Sequence, residues 1–106
     1  MRTFEETYRQ AIAEIERLDN GEKIVFVTRL NTVAKTLGAE KYDKNSAGFD
    51  LIERFVSLKK EKGITVFFRL PDLRFNSSSF LNGIGQANIV DSKWIEKHPE
   101  IKLIEL

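Results

Sequence analysis

The sequence predicts a small α/β domain, a layered sheet of three to four strands with helices packed on it. Two runs rich in β-branched and aromatic residues, 24–28 and 64–70, lack polar alternation, which is typical of strands covered on both faces. A segment with helical periodicity precedes each run, over 3–19 and over 46–62. A chain of 106 residues is enough for one core, so we expect a single domain over 1–106.

The first helix is predicted over residues 3–19. Thr3 and Glu6 have the spacing of a capping box, and apolar residues then recur at every third or fourth position. Asn20-Gly21 favours a left-handed turn, and we expect this pair to end the helix. The first strand follows directly.

The second long helix is predicted over residues 46–62. Its apolar positions share one face, and its basic last turn is followed by Gly63, which favours a helix end. The segment before it is less regular, since 31–38 fits a capped helix of two turns and 39–45 fits a polar loop. The strand over 64–70 follows after one residue, which is the αβ half of a right-handed βαβ crossover.

Three further elements complete the predicted order. A helix is expected to begin near Ser77, where several hydroxyl side chains can cap it, and a turn or short helix is expected at Trp94-Ile95. Alternating residues over 101–106 predict an edge strand. Such an edge can pair with a second copy of the chain, so a homodimer is one expected assembly.

The composition excludes several classes of protein. Seventeen Lys and Arg against sixteen Asp and Glu leave a formal charge of +1, so no overall field attracts nucleic acid or an anionic membrane. The absence of cysteine excludes disulfides and thiolate sites, and it fits a reducing, cytoplasmic compartment. Residues 1–10 are too charged for a signal peptide, and no apolar run approaches the ~18 residues of a membrane span.

The sequence has no pattern typical of a catalytic or metal site. Its one histidine, His98, has no second histidine to share a metal, and no serine is spaced to suggest a triad. Most carboxylates stand beside Lys or Arg, as on a solvated surface. The run 83–86 lacks the third glycine of a dinucleotide fingerprint. We therefore expect an ordinary surface histidine, and no enzyme, cofactor or metal.

The most unusual segment, 75–86, follows the strand over 64–70. Its three consecutive serines exceed what a single helix cap requires. At a helix start they stand among free backbone N–H groups, where a phosphate can be held or a serine phosphorylated. The residues predicted to bind a partner are Asn76, Ser77, Ser78, Ser79, Asn82, Gly83, Gly85 and Gln86.

This segment resembles a known family over about residues 46–90. A strand, a short linker, Asn76-Ser77-Ser78-Ser79-Phe80-Leu81 and a glycine-bearing helix look like the STAS domain of anti-sigma factor antagonists. That family has Asp-Ser-Ser-Gly-Leu after its central strand. The segment is also similar to bacterial STAS-like proteins, in which Ser-Ser-Phe-Leu or Ser-Phe-Leu precedes a Phe-Gly or Ile-Gly pair.

The resemblance implies a STAS-like core over about 22–106 that binds a partner protein, in that family a kinase-type anti-sigma factor, through the start of this helix. Ser77 aligns with the serine that is phosphorylated in the family, Asn76 with the aspartate before it, and Ser79 with a glycine. The departures are the missing carboxylate at Asn76, the added helix over 3–19 and the lack of the family's final helix in this sequence.

Two other functions fit the sequence. The first is a winged-helix or helix-turn-helix DNA-binding protein, in which 32–37 and 46–62 are the helices and 64–70 begins the wing. Its phosphate contacts are predicted to be Lys44, Arg54, Lys59, Lys60 and Lys62. The fully apolar run of 64–68 argues against a wing strand, which should alternate. The second is a small inhibitor of a host enzyme, carried by a mobile element, which fits the size of the chain.

Overall fold

A four-stranded parallel sheet forms the centre of the fold. The computed structural model describes residues 3–28, 33, 36–37, 44–45, 48–71 and 88–106. Within them, the helices are α1 (Phe4–Glu16), α2 (Phe49–Lys62) and α3 (Ser92–Lys97), and the strands are β1 (Lys23–Val27), β2 (Thr65–Arg69), β3 (Asn88–Ile89) and β4 (Lys102–Glu105). The predicted α/β class is confirmed, and the described residues form four strands, the upper end of the predicted range.

The strand order is β3-β2-β1-β4, and every pair is parallel. Ile24 of β1 lies opposite Val66 of β2 on one side and Lys102 of β4 on the other. β1 and β2 are therefore interior strands, as their apolar sequences predict. β4 is an edge strand, which is also confirmed. The other edge strand, β3, was not predicted, because a strand of two residues carries no readable pattern.

α1 begins with the predicted capping box. The Thr3 hydroxyl accepts a hydrogen bond from the Glu6 backbone N–H at 3.2 Å and lies 3.0 Å from the Glu6 carboxylate. The predicted end of this helix is wrong, since α1 stops at Glu16 with Arg17 as its cap. Gly21 does have a left-handed φ of 80°, but it belongs to the turn that leads into β1. The chain turns there because only glycine adopts this conformation at no steric cost.

α2 lies between two left-handed glycines. Gly48 precedes it with φ 82°, and Gly63 ends it with φ 64° and donates its N–H to the last-turn carbonyls. The helix therefore starts three residues after the predicted residue 46 and stops where predicted. A Cβ on Gly48 would lie 2.5 Å from Phe4 Cε1, so the close approach of α1 to α2 requires glycine at this position.

The first face of the sheet packs against α1 and α2. Even-numbered residues of β1 and β2, such as Phe26 and Phe68, point to this face and join the hydrophobic core. Val33 and Leu37, which have helical backbones as the predicted helix over 31–38 requires, are buried in the same core. This face carries most of the buried apolar area, and therefore most of the hydrophobic stabilisation.

Tyr8 of α1 is a polar residue placed inside this core. Its side chain is fully buried, and its ring contacts Phe4 at 4.7 Å and Phe55 at 5.9 Å between centroids. Burial raises the pKa of the Tyr8 phenol far above its usual range, because the phenolate would lose its hydration, and the Thr36 side chain acts in the opposite direction. Tyr8 therefore stays neutral in the folded chain at ordinary pH.

The second face of the sheet is covered in part by the short helix α3. Trp94 packs on Phe67 of β2 with 4.6 Å between ring centroids, and His98 stacks on Trp94 at 4.0 Å. Nδ1 of His98 lies 2.7 Å from the Trp94 carbonyl oxygen. The predicted short helix at Trp94-Ile95 is confirmed. His98 was expected in a surface turn, but it is half-buried and ends the helix.

Glu14 of α1 differs from the expected pattern of solvated carboxylates. Its side chain is only 10 % exposed and forms ion pairs at 2.9 Å with Arg17 and with Lys102 of β4. Gln10 adds a hydrogen bond from its side-chain amide to the Glu105 carbonyl oxygen at 3.3 Å. α1 therefore holds β4 in place. Gln10 also binds one backbone carbonyl of β4, the edge strand with which a second copy of the chain would pair. The homodimer stays a prediction.

Candidate binding site at the carboxyl edge of the sheet

The carboxyl edge of the sheet is where its four parallel strands end. In parallel α/β sheets, ligands bind outside this edge, because the loops there vary while the strands stay fixed. α1 and α2 end shortly before β1 and β2 begin, so both helices start toward this edge, and α3 starts there after β3. The helix dipoles consequently direct their positive ends to the same side of the sheet.

A cleft opens at this edge beyond the ends of β2 and β3. It has a volume of about 360 Å³. Its lining includes three apolar residues, which we call the apolar wall, and four polar or charged residues, which we call the polar wall. We call it the Arg69 cleft, and its lining residues are Arg69, Leu70, Ile89, Val90, Asp91, Ser92 and Lys93.

Arg69 is fixed by two hydrogen bonds from its guanidinium. One terminal nitrogen donates to the Leu70 carbonyl oxygen at 2.6 Å, and the other donates to the Ser92 hydroxyl at 3.3 Å. A guanidinium has five N–H donors, so these two contacts leave donors for a ligand. Because Arg69 is the last residue of β2, the strand itself positions the base of its side chain.

Asp91 contributes to the cleft a carboxylate that already has a structural use. Its Oδ1 accepts a hydrogen bond at 2.8 Å from the Trp94 backbone N–H and so caps α3. The cations Arg69 and Lys93 outnumber this carboxylate, and the Ser92 hydroxyl lies beside them. The polar wall is therefore suited to an anionic group.

Sequence reasoning did not identify Arg69, Ser92 or Lys93 as site residues. The available signal was a charged residue at the end of an otherwise apolar strand. That signal becomes specific only when the strand order is known, because β3 brings Ser92 and Lys93 next to β2.

The predicted partner-binding residues, Asn76 to Gln86, lie outside the described residues, and so does the predicted helix near Ser77. Their place in the chain is still informative. β2 lies in the interior of the sheet and leads to Pro71 at the carboxyl edge, and the described chain resumes at Asn88 in β3. The segment 72–87 therefore leaves the sheet at the edge that contains the Arg69 cleft.

The basic residues predicted for DNA contact do not form one patch. Lys44 precedes α2, whereas Lys59, Lys60 and Lys62 lie in its last turn, and a helix of 14 residues rises ~21 Å between its ends. At ~100° per residue, Arg54 and Lys60 project about 120° apart around the helix axis. Phosphate contacts through these residues would therefore not fall on a single surface.

Lys62 also has a structural role that competes with phosphate binding. Its ammonium donates to the Ile15 carbonyl oxygen at 2.9 Å and to the Glu16 carbonyl oxygen at 3.0 Å. These are last-turn carbonyls of α1, which no further helical turn satisfies.

The strand pairing also differs from that of a winged-helix protein. β2 pairs in parallel with both neighbours, whereas a wing is an antiparallel hairpin. The described strands therefore do not form the winged-helix fold.

Two other features, a metal-binding cluster and a membrane-spanning helix, do not occur in the part of the chain that the structure describes. It contains no cluster of three or more potential metal ligands. None of its helices is both long enough and apolar enough to span a membrane.

Comparison with known proteins adds no family assignment. No family model, curated protein or solved structure matches this chain. The strand order β3-β2-β1-β4 equals the first four strands of the doubly wound nucleotide-binding fold, but an order of strands is shared by many functions. The candidate site therefore depends on the chemistry of the Arg69 cleft.

Proposed function

We propose that the chain is a STAS-like, non-catalytic regulatory module that binds a partner protein at the carboxyl edge of its sheet. The observation that carries the proposal is the position of β2, an interior strand that ends at this edge and leads into the serine-rich segment. Loops on a rigid sheet are suited to recognition, because the sheet holds their ends in place. The resemblance of residues 46–90 to STAS domains supports the same surface.

Phosphorylation of Ser77 is the proposed switch. A phosphate adds about −1.5 to −2 charges at neutral pH, and such a charge changes a docking surface by attracting cations and repelling acidic groups. The cationic residues Arg69 and Lys93 lie at the same edge of the sheet. A modified serine in the following segment would therefore alter the charge that the partner meets.

The test starts by identifying a partner and then measures its affinity. Affinity capture with mass spectrometry supplies a partner, which is purified and titrated against variants of the chain by calorimetry. Ser77→Glu and Gly85→Arg should weaken binding about tenfold or more, since each places a charge in the docking surface. Ser77→Ala should bind like the natural chain, because it adds no charge.

Asn20→Glu is the matched control, because it adds a negative charge to an exposed residue of the turn before β1. Circular dichroism shows whether each variant remains folded. Equal affinity for Ser77→Glu, Gly85→Arg and Asn20→Glu would refute the proposed surface. Retention of DNA in a gel-shift series that weakens steeply with salt would instead favour nucleic-acid binding.

A further inference from the structure

We infer that the Arg69 cleft binds a carboxylate side chain of the protein partner, together with an apolar residue next to it. This inference rests on the proposed function and names the chemistry of the partner. Three features of the cleft support it: a fixed guanidinium, a surplus of positive charge and an apolar wall.

The guanidinium is the first feature. A planar guanidinium matches the two oxygens of a carboxylate with two parallel N–H bonds, which makes the contact strong and directional. In the Arg69 cleft the hydrogen bonds to the Leu70 carbonyl and the Ser92 hydroxyl hold this group before any ligand arrives. Binding then costs less side-chain entropy than it would for a flexible surface arginine.

The charge balance is the second feature. Lys93 adds a second cation, and the one carboxylate among the described lining residues, Asp91, is held as the cap of α3. The attraction for an anion comes from the cationic side chains and not from the dipole of α3, which has only six residues. An incoming carboxylate therefore meets a net positive surface.

The apolar wall is the third feature and determines the kind of ligand. Leu70, Ile89 and Val90 supply the apolar part of the lining. Ile89 and Val90 are half-buried, so a ligand that covers them removes apolar area from water. A small inorganic anion fills only the polar side, whereas an acidic residue beside an apolar residue contacts both walls.

The test uses three small probes and nuclear magnetic resonance of the whole chain. The probes are N-acetyl-glutamyl-leucine amide, its neutral analogue N-acetyl-glutaminyl-leucine amide, and inorganic phosphate. The glutamyl probe should shift the Arg69 side-chain and Ser92 amide signals in a saturable way. The glutaminyl probe should bind about tenfold more weakly, because it lacks the charge that strengthens the hydrogen bonds.

Two variants of the cleft and one control complete the test. Arg69→Gln should weaken the glutamyl probe about tenfold, and Arg69→Lys should have an intermediate effect, since lysine keeps the charge but not the paired donors. Arg54→Gln, on the exposed side of α2, should have no effect. Amide spectra that match the natural chain away from the cleft show that a variant is folded.

The possible results separate this inference from the proposed function. Equal affinity for the two peptide probes, or no effect of Arg69→Gln, overturns carboxylate recognition even if Ser77→Glu still abolishes partner binding. Phosphate that binds as tightly as the glutamyl probe overturns the role of the apolar wall and indicates a phosphoryl ligand. Discrimination between the peptide probes, without any effect of Ser77→Glu or Gly85→Arg on partner binding, supports the cleft and refutes the docking surface.

Discussion

The two edges of the sheet use their polar groups differently. At the amino edge, the ends of α1 and α2 are tied together, since Lys62 donates to the last carbonyls of α1 and its own carbonyl accepts the Gly21 N–H at 2.7 Å. At the carboxyl edge, the polar groups of the Arg69 cleft surround an open volume of about 360 Å³. Polar contacts at the first edge hold the fold, and those at the second are arranged around space for a ligand.

This difference follows from the direction of the helices. Because α1 ends at the amino edge, its last carbonyls have no partner in a further helical turn, and the Lys62 ammonium binds two of them. At the carboxyl edge the helices begin, and their first N–H groups attract anions. The chain thus places the polar contacts that join the ends of α1 and α2, and its candidate site, at opposite ends of the same strands.

The largest expected effect is at the carboxyl edge, where α1 and α2 meet. Gly48→Ala should lower the free energy of unfolding by about 2–3 kcal/mol, because alanine is disfavoured at a positive φ and its Cβ would displace the Phe4 ring. Gly21→Ala is the matched control at the amino edge. It has a similar φ of 80° but no atom within 4 Å of the added Cβ, so its cost should be only about 1 kcal/mol.

Urea denaturation of both glycine variants measures this contrast. If the two variants lose the same stability, the contact between Phe4 and Gly48 contributes nothing beyond the cost of the backbone conformation.

The next effect in size concerns the lysine at the amino edge. Lys62→Met keeps most of the aliphatic stem but removes the two hydrogen bonds to α1, so the free energy of unfolding should fall by about 1–2 kcal/mol. Lys60→Met, on the exposed side of the same helical turn, should change it by less than about 0.5 kcal/mol. Thermal unfolding compares the two variants. Equal losses would show that the ammonium of Lys62 does not cap α1.

The same comparison explains which parts of the structure the sequence could predict. α1, α2 and the interior strands were predictable, because caps, glycine stops and apolar runs act over a few neighbouring residues. The burial of Glu14 was not, since it depends on Lys102 in a strand near the other end of the sequence. β3 was missed for a related reason, because its two residues pair with β2 through tertiary structure alone.

The candidate site was harder to predict than the fold. The serine-rich segment could be identified from composition, and the prediction that it follows an interior strand is confirmed for that strand. The Arg69 cleft could not be identified, because its polar wall joins the end of β2 to the first turn of α3. The sequence shows that Arg69 is charged, but only the strand order shows which residues lie beside it.

The smallest expected effect on stability at neutral pH concerns Tyr8. This effect grows at alkaline pH. Tyr8→Phe should leave the stability at pH 7 nearly unchanged, because the phenol is buried and lies beside Phe4 and Phe55 in an apolar core. Burial raises the pKa of Tyr8 in the folded chain above the value of about 10 in the unfolded chain. The stability that comes from keeping the buried phenol neutral is therefore fully present below pH ~10 and is lost as the pH rises further.

The natural chain should consequently lose more stability than Tyr8→Phe between pH 9 and pH ~11, measured by urea denaturation at each pH. The Lys62→Met variant serves as the control for the amino edge. If the natural chain and the Tyr8→Phe variant lose stability in parallel, the Tyr8 phenol does not cause the alkaline loss of stability. A difference that persists in the Lys62→Met background would place that loss in the core around Tyr8.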